Sequence, residues 1–141
     1  MAGGGKPIDS TTILLVEDNA PLLRNVAFIL QMIGFKVLLA ADGTQALEML
    51  RCCTPDLIIS DLDMPGLNGY GLLRRVRADQ RWGRIPFIMI SDRYDLPDLM
   101  RALELGASDY VPKPFDIYDL LDAIKETLQP RPFNAGYPLA S

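Results

Sequence analysis

The sequence contains no histidine. That removes the commonest general base, the commonest metal ligand and any histidine phosphoacceptor, so chemistry here must run on carboxylates, hydroxyls and lysine. Cysteine is nearly absent as well. Cys52 and Cys53 are the only two and they are adjacent, so a bridge between them would be highly strained, and the pair fits neither a C-x-x-C motif nor a disulfide framework. A reducing cytoplasm is the expected compartment. No apolar run approaches the ~20 residues of a membrane-spanning helix, and Met1–Ser10 lacks the apolar middle of a signal peptide. No membrane partner is expected. Lys and Arg number 14 against 18 Asp and Glu, a net charge of −4, and form no long basic tract. Direct nucleic-acid binding is therefore not expected, because phosphate neutralisation needs clustered cations. What is present is 141 residues, 49% of them apolar. Such a chain can bury roughly two thirds of its unfolded surface without a metal or disulfide staple.

The apolar residues fall into two rhythms. Ile13–Val16, Val37–Ala41, Leu57–Ser60, Phe87–Ile90 and a segment from Tyr110–Val111 are short continuous runs, suited to strands buried on both faces. Between them, apolar residues recur at helical spacing: Leu22, Val26, Ile29, Leu30 and Ile33, stopped by Gly34; then Ala46, Leu47 and Leu50 after the Asp42-Gly43-Thr44 turn. Leu72, Leu73 and Val76 follow the loop Met64–Asn68. Leu96, Leu99, Met100 and Leu103 precede Gly106, and Ile117, Leu120, Leu121, Ile124 and Leu128 precede Pro130. These leucine and methionine stripes are expected to be core. Five strand–helix pairs without hairpin signals call for right-handed crossovers and a doubly wound α/β domain, helices covering both faces of a parallel sheet. The expected division is a flexible Gly-rich segment at 1–11, one domain at 12–129, and a tail or linker stub at 130–141 carrying Phe133, Tyr137 and Leu139. That leaves no room for a second folded module, so either output is expected through a partner or the chain is a fragment.

In such a fold the ligand site lies beyond the carboxyl ends of the strands. The first strand ends at Glu17-Asp18, the third at Asp61, the fourth at Ser91, and the fifth runs into Lys113. Three converging carboxylates repel one another, so they take up protons or hold a cation, and an oxygen-only set suits Mg²⁺ or Mn²⁺. A carboxylate beside such a cation, with a lysine and a hydroxyl for oxyanion oxygens, is equipped for phosphoryl transfer with Asp61 as nucleophile.

Asp61-Leu-Asp-Met-Pro-Gly-Leu-Asn-Gly69, the acidic pair Glu17-Asp18, Ser91 after an apolar strand, and Tyr110 with Lys113-Pro114 together resemble the receiver domain of two-component response regulators. The resemblance spans Thr12 to Gln129 and implies a flavodoxin-like (βα)5 fold with strand order 2-1-3-4-5. It implies Mg²⁺ held by Glu17, Asp18, Asp61 and the Asp63 carbonyl, and phosphorylation of Asp61. Ser91 is then the hydroxyl for the phosphoryl group, Lys113 its ion partner, Tyr110 the aromatic switch, and Lys113–Pro114 a cis bond. The donor is a histidine kinase or a histidine phosphotransfer protein, and the output partner meets the face made by the fourth helix, fifth strand and fifth helix. Such a chain is a signalling switch, not a turnover enzyme.

Two departures from that pattern stand out. Asp92 occupies a position that is usually small, where it can repel an incoming phosphoryl group. Asp63 and Arg93 are opposite in charge and expected on opposite lips of the site, where they can pair unless Asp92 takes Arg93 instead. Each site residue also has a plainer reading. Glu17 and Asp18 suit a helix N-terminus, Asp61 a turn, Ser91 a cap, Tyr110 the core and Lys113 a solvated loop. Arg74, Arg75, Arg77, Arg81 and Arg84 around Trp82 read more readily as helix-end cations than as a binding patch. Asp61-Leu-Asp63 also resembles the Asp-x-Asp opening of haloacid-dehalogenase-type phosphatases, although that motif belongs on a first strand and lacks Met-Pro. A degenerate receiver acting as a binding module is the remaining alternative.

Overall fold

A computed structural model describes residues 6–93 and 95–129; the glycines of the first five residues and Phe133, Tyr137 and Leu139 lie outside them. Each apolar run forms a strand: β1 (Thr12–Val16), β2 (Lys36–Ala40), β3 (Leu57–Asp61), β4 (Phe87–Ser91) and β5 (Asp109–Pro112). Between and after them come α1 (Ala20–Ile33), α2 (Gly43–Cys52), α3 (Gly69–Ala78), α4 (Leu96–Glu104) and α5 (Ile117–Leu128). The strands form one parallel sheet in the order β2-β1-β3-β4-β5.

Side chains alternate across that sheet, and both of its faces are covered. Leu14, Val16 and Ile58 pack with α2, α3 and Ala102 of α4. Ile13, Leu15 and Ile59 pack with α1 and α5. A strand with no wet face has no polar alternation, which is why these runs read as continuously apolar. Each helix starts at an Asn or Asp whose side chain accepts from a backbone N–H three residues on: Asn19, Asp42, Asn68, Asp95 and Asp116. Each such cap contributes about 1 kcal/mol and fixes where its loop ends. Gly34 closes α1 with φ 125°, a left-handed conformation that a side chain would strain.

Two expectations need correction. The α4 stripe meets the core only at half-buried Leu99: Leu96, Met100 and Leu103 are 66%, 46% and 44% exposed, and Ala102 is the buried residue of that helix. Helical spacing reports an apolar stripe but not its direction, and α4 seats its smallest side chain on the sheet. The segment before β1, grouped with a flexible start, carries a 3-10 turn at Ile8–Ser10; Thr11 is buried and Lys6 pairs with Asp56 at 2.9 Å.

Candidate functional site

The strand register brings the chemistry-bearing residues into one row. Val16 is level with Ser60, Asp61 with Ile90, and Ser91 with Pro112. Glu17, Asp61, Ser91 and Lys113 therefore leave the sheet within about one residue of each other, although 96 residues separate Glu17 from Lys113.

Asp61 is 4% exposed and Glu17 is 2% exposed, while Asp18 is open to solvent. Each of the three offers a carboxylate oxygen within 4.8 Å of the others. Glu17 is fixed through both oxygens: Oε2 accepts from the Asn19 N–H at 3.0 Å and Oε1 from Lys113 Nζ at 2.9 Å. The same ammonium lies 3.1 Å from Asp61 Oδ1. Burial, then the Glu17 charge, pushes the Asp61 carboxyl up to about 6, with Lys113 pulling the other way. Burial by itself lowers an ammonium, but the bonds to Glu17 and Asp61 outweigh it and leave Lys113 raised. The loop after Asp61 is held close by Gly69, where a Cβ would meet the Asp61 carbonyl oxygen at 2.6 Å and the Met89 sulfur at 2.7 Å. Gly69 is therefore required for close approach.

Ser91 is fully buried at the end of β4, and its Oγ accepts from the Arg93 N–H at 2.9 Å. Tyr110, also buried, donates its hydroxyl to the Arg93 carbonyl. Ser91 and Tyr110 thus hold the two sides of one residue's backbone. The Arg93 side chain reaches across the mouth to Asp63, with Nη2–Oδ1 at 2.9 Å and Nε–Oδ2 at 3.1 Å. Of the two pairings open to Arg93, the structure has the one with Asp63; Asp92 is exposed and makes no ion pair among the described residues. The Lys113–Pro114 bond is cis.

Sequence patterns pass over one neighbour of this site. Tyr70, in the first turn of α3, is buried and donates to Asp98 Oδ1 at 3.0 Å and to the Asp98 carbonyl at 3.2 Å. The Arg101 guanidinium lies 4.4 Å from its ring centroid. Burial and then Asp98 raise the Tyr70 hydroxyl to about 12, so it stays a donor at neutral pH. Tyr70 ties α3 to an otherwise lightly packed α4. No local pattern joins residues 28 apart on two helices.

Residues 13–125 match the family model described as response regulator receiver domain. The DNA-binding response regulator MtrA of Mycolicibacterium paratuberculosis is 38% identical over 117 residues, covering 83% of this chain and 51% of MtrA. The probable transcriptional regulator ycf27 of Cyanophora paradoxa is 38% identical over 122 residues, covering 86% and 50%. The chain thus spans about half the length of these curated relatives. Among solved structures, the chemotaxis response regulator CheY4 of Vibrio cholerae superposes with TM-score 0.80 at 29% identity, covering 84% of this chain and 98% of CheY4. The signal receiver domain of a signal transduction histidine kinase from Syntrophus aciditrophicus gives TM-score 0.80 at 32% identity, covering 94% and 100%.

Proposed function

The chain belongs to the response regulator receiver domain family, and from that premise we propose that Asp61 is the phosphoacceptor of a switch whose receiver unit is residues 12–129. The observation that carries this is Lys113 Nζ, held 2.9 Å from Glu17 and 3.1 Å from Asp61 at the floor of the acidic row. The donor set fits a hard divalent cation: three carboxylates, oxygen only, two of them buried and close enough to raise the Asp61 pKa. Glu17, Asp18, Asp61 and the Asp63 carbonyl would hold Mg²⁺ or Mn²⁺; the Asp63 side chain is already committed to Arg93. Such an ion supplies charge neutralisation at the phosphoryl oxygens.

The protein's own groups do the rest. An ionised Asp61 oxygen attacks phosphorus as the bond to the donor imidazole breaks, and the phosphoryl group ends on Asp61 as an acyl phosphate. The donor histidine belongs to a kinase or phosphotransfer protein, since this chain has none. Lys113 follows the negative charge outward from Asp61 to a phosphoryl oxygen. Ser91 Oγ donates to another, and the change passes through the Arg93 backbone to Tyr110, the switch residue. The output partner docks on the face of α4, β5 and α5, where Leu96, Met100, Leu103 and Tyr118 are exposed. No helix among the described residues is long and apolar enough to cross a membrane; the switch is assigned to the cytoplasm, with its own phosphorylation and dephosphorylation as its sole chemistry. The phosphatase resemblance is not favoured, since Asp61-Leu-Asp63 begins at the end of the third strand rather than of the first.

The test is intact mass after incubation with a small acyl phosphate and Mg²⁺. Wild type should gain one phosphoryl group, stable in acid and labile in base, and Asp61→Asn should gain none. A mutant modified as fast as wild type would remove Asp61 from the role, and sustained hydrolysis of a generic phosphate monoester would restore the phosphatase.

A further inference from the structure

Residues 74–84 carry five arginines and one acid, Asp79, in a chain whose net charge is −4. The structure separates these arginines by what they touch. Arg77 is occupied: Nε and Nη2 donate to the Gly106 carbonyl at 3.0 and 2.8 Å, and Nη1 donates to Ile85 at 2.6 Å and Gly83 at 3.1 Å. Arg81 lies over Trp82, 4.8 Å from the ring centroid, and pairs with Asp79 at 3.4 Å. Arg51, Arg74, Arg75 and Arg84 are exposed and make no ion pair among the described residues.

Arg51 closes α2 and Arg75 lies in the last turn of α3. Both helices run back against the strands, so these ends meet at the amino edge of the sheet, away from Asp61. Between them opens a cleft of about 420 Å³, lined by Arg51, Arg75 and Arg81, by Asp79, the ion partner of Arg81, and by Leu47, Ala78 and Trp82. Cations at helix C-termini offset the helix dipole, which requires a charge near each end but no shared concavity. With Arg81 paired to Asp79, Arg51 and Arg75 still bring two guanidinium groups without an ion pair among the described residues to one open cleft, more than the dipoles require.

We infer that this cleft is a docking site for an acidic polypeptide segment that places an apolar side chain between carboxylates. Planar guanidinium forks match carboxylates two bonds at a time, and Ala78, the exposed apolar residue of the lining, meets the intervening side chain. Charge complementarity favours such a partner. Nucleic acid is the poorer fit. Trp82 is 6% exposed and covered by Arg81, so no aromatic face is offered to a base.

Trp82 is the single tryptophan, so its emission reports on this cleft alone. The probe is a capped peptide, Glu-Leu-Glu-Asp-Leu-Glu, titrated into the whole chain at low salt. Its Gln-Leu-Gln-Asn-Leu-Gln counterpart and a short single-stranded oligodeoxynucleotide are titrated alongside. The acidic peptide should give a saturable change that weakens by roughly tenfold or more for the amide peptide and for Arg51→Gln with Arg75→Gln, each lost charge-assisted contact being worth about a factor of ten. Arg75→Lys, which keeps charge without the fork, should fall between. The double variant should keep cooperative melting and unchanged phosphorylation, since neither residue touches the Asp61 site. Absence of saturation, equal binding of the two peptides, or full affinity in the folded double variant overturns the proposal. Tighter binding of the oligonucleotide than of the acidic peptide reassigns the cleft to nucleic acid and overturns it equally.

Discussion

Each edge of the sheet holds a cation partly out of water, and the two are held by opposite means. At the carboxyl edge Lys113 is bonded to the carboxylates of Glu17 and Asp61. At the amino edge Arg77 is bonded only to backbone carbonyls, those of Gly83, Ile85 and Gly106. Carboxylates can change charge, take up a proton or hold a metal, so the Lys113 contacts can be exchanged as the site works. Carbonyls cannot, so the Arg77 contacts join the end of α3 to the segments entering β4 and β5 under all conditions. On the proposed function the first cation belongs to chemistry and the second to architecture, although burial alone would depress the pKa of both.

Exchanging each cation for an apolar side chain of similar length should separate these roles. Lys113→Met should lower the initial rate of phosphorylation by about 10²–10³, as expected for removing one charged donor from a phosphoryl site, while the thermal transition stays cooperative. Intact-mass time courses give the rate, and a loss under about tenfold would mean that Lys113 is dispensable to the chemistry. Arg77→Met should do the reverse. It leaves three carbonyls without their donor and should cost about 2–4 kcal/mol in urea unfolding, with phosphorylation unchanged well below the transition. Similar stability losses in both variants would erase the distinction between the two edges.

Acidity offers a finer test, because only the carboxyl edge responds to it. The folded pKa of Asp61, about 6, lies above the ordinary 3.8, so the folded state takes up a proton more readily than the unfolded one. Its ionisation opposes folding as pH rises from about 3.8 to 6, and the full cost remains above that window. Lys113, raised by its partners, contributes at neutral pH and loses that contribution only as pH rises through its folded value. On the proposed function Mg²⁺ affinity and phosphorylation both need ionised Asp61, so each should fall about tenfold per pH unit below 6. Titration of Mg²⁺ between pH 5 and 7, followed by NMR, checks this; an affinity flat across that range would place the raised carboxyl outside the metal site.

The smallest effect belongs to a third cation, Arg93, which pairs with Asp63 in the open at the mouth. Exposed pairs hold little stability, so Arg93→Ala should leave melting unchanged. It should speed loss of phosphate severalfold once donor is removed if, on the proposed reading, the pair at the mouth lies across the line along which water attacks the aspartyl phosphate. An unchanged decay would make the Asp63 contact a surface feature, and slower phosphorylation without faster decay would point to Asp92 and approach of the donor instead.

How much of this was legible in advance depended on the range of each interaction. The start of α2 was, at the Asp42 turn; Asn19, Asn68, Asp95 and Asp116 cap the other helices by the same contact three residues on, a local signal the sequence reading did not use. The acidic residues of the site were too, because strand ends in a parallel sheet fall on one edge and the segment from Asp61 to Gly69 is a dense motif. The direction of the α4 stripe was not, since spacing alone cannot say which arc meets the sheet. Arg77 could not be told from Arg75, two positions away on the same helix; one finds carbonyls and the other finds water.

Chain chemistry alone therefore settles the alternation of strands and helices, the caps between them and the kinds of side chain at the carboxyl edge, because local geometry and burial pattern act over a few residues. Tertiary structure alone settles the partners of Lys113, the closure of Arg93 on Asp63, the seating of Tyr70 against Asp98 and the difference between Arg77 and its neighbours. Those outcomes turn on angles and distances of a few ångströms between residues far apart in sequence. Only the register of the strands and the lie of the helices across them set such distances.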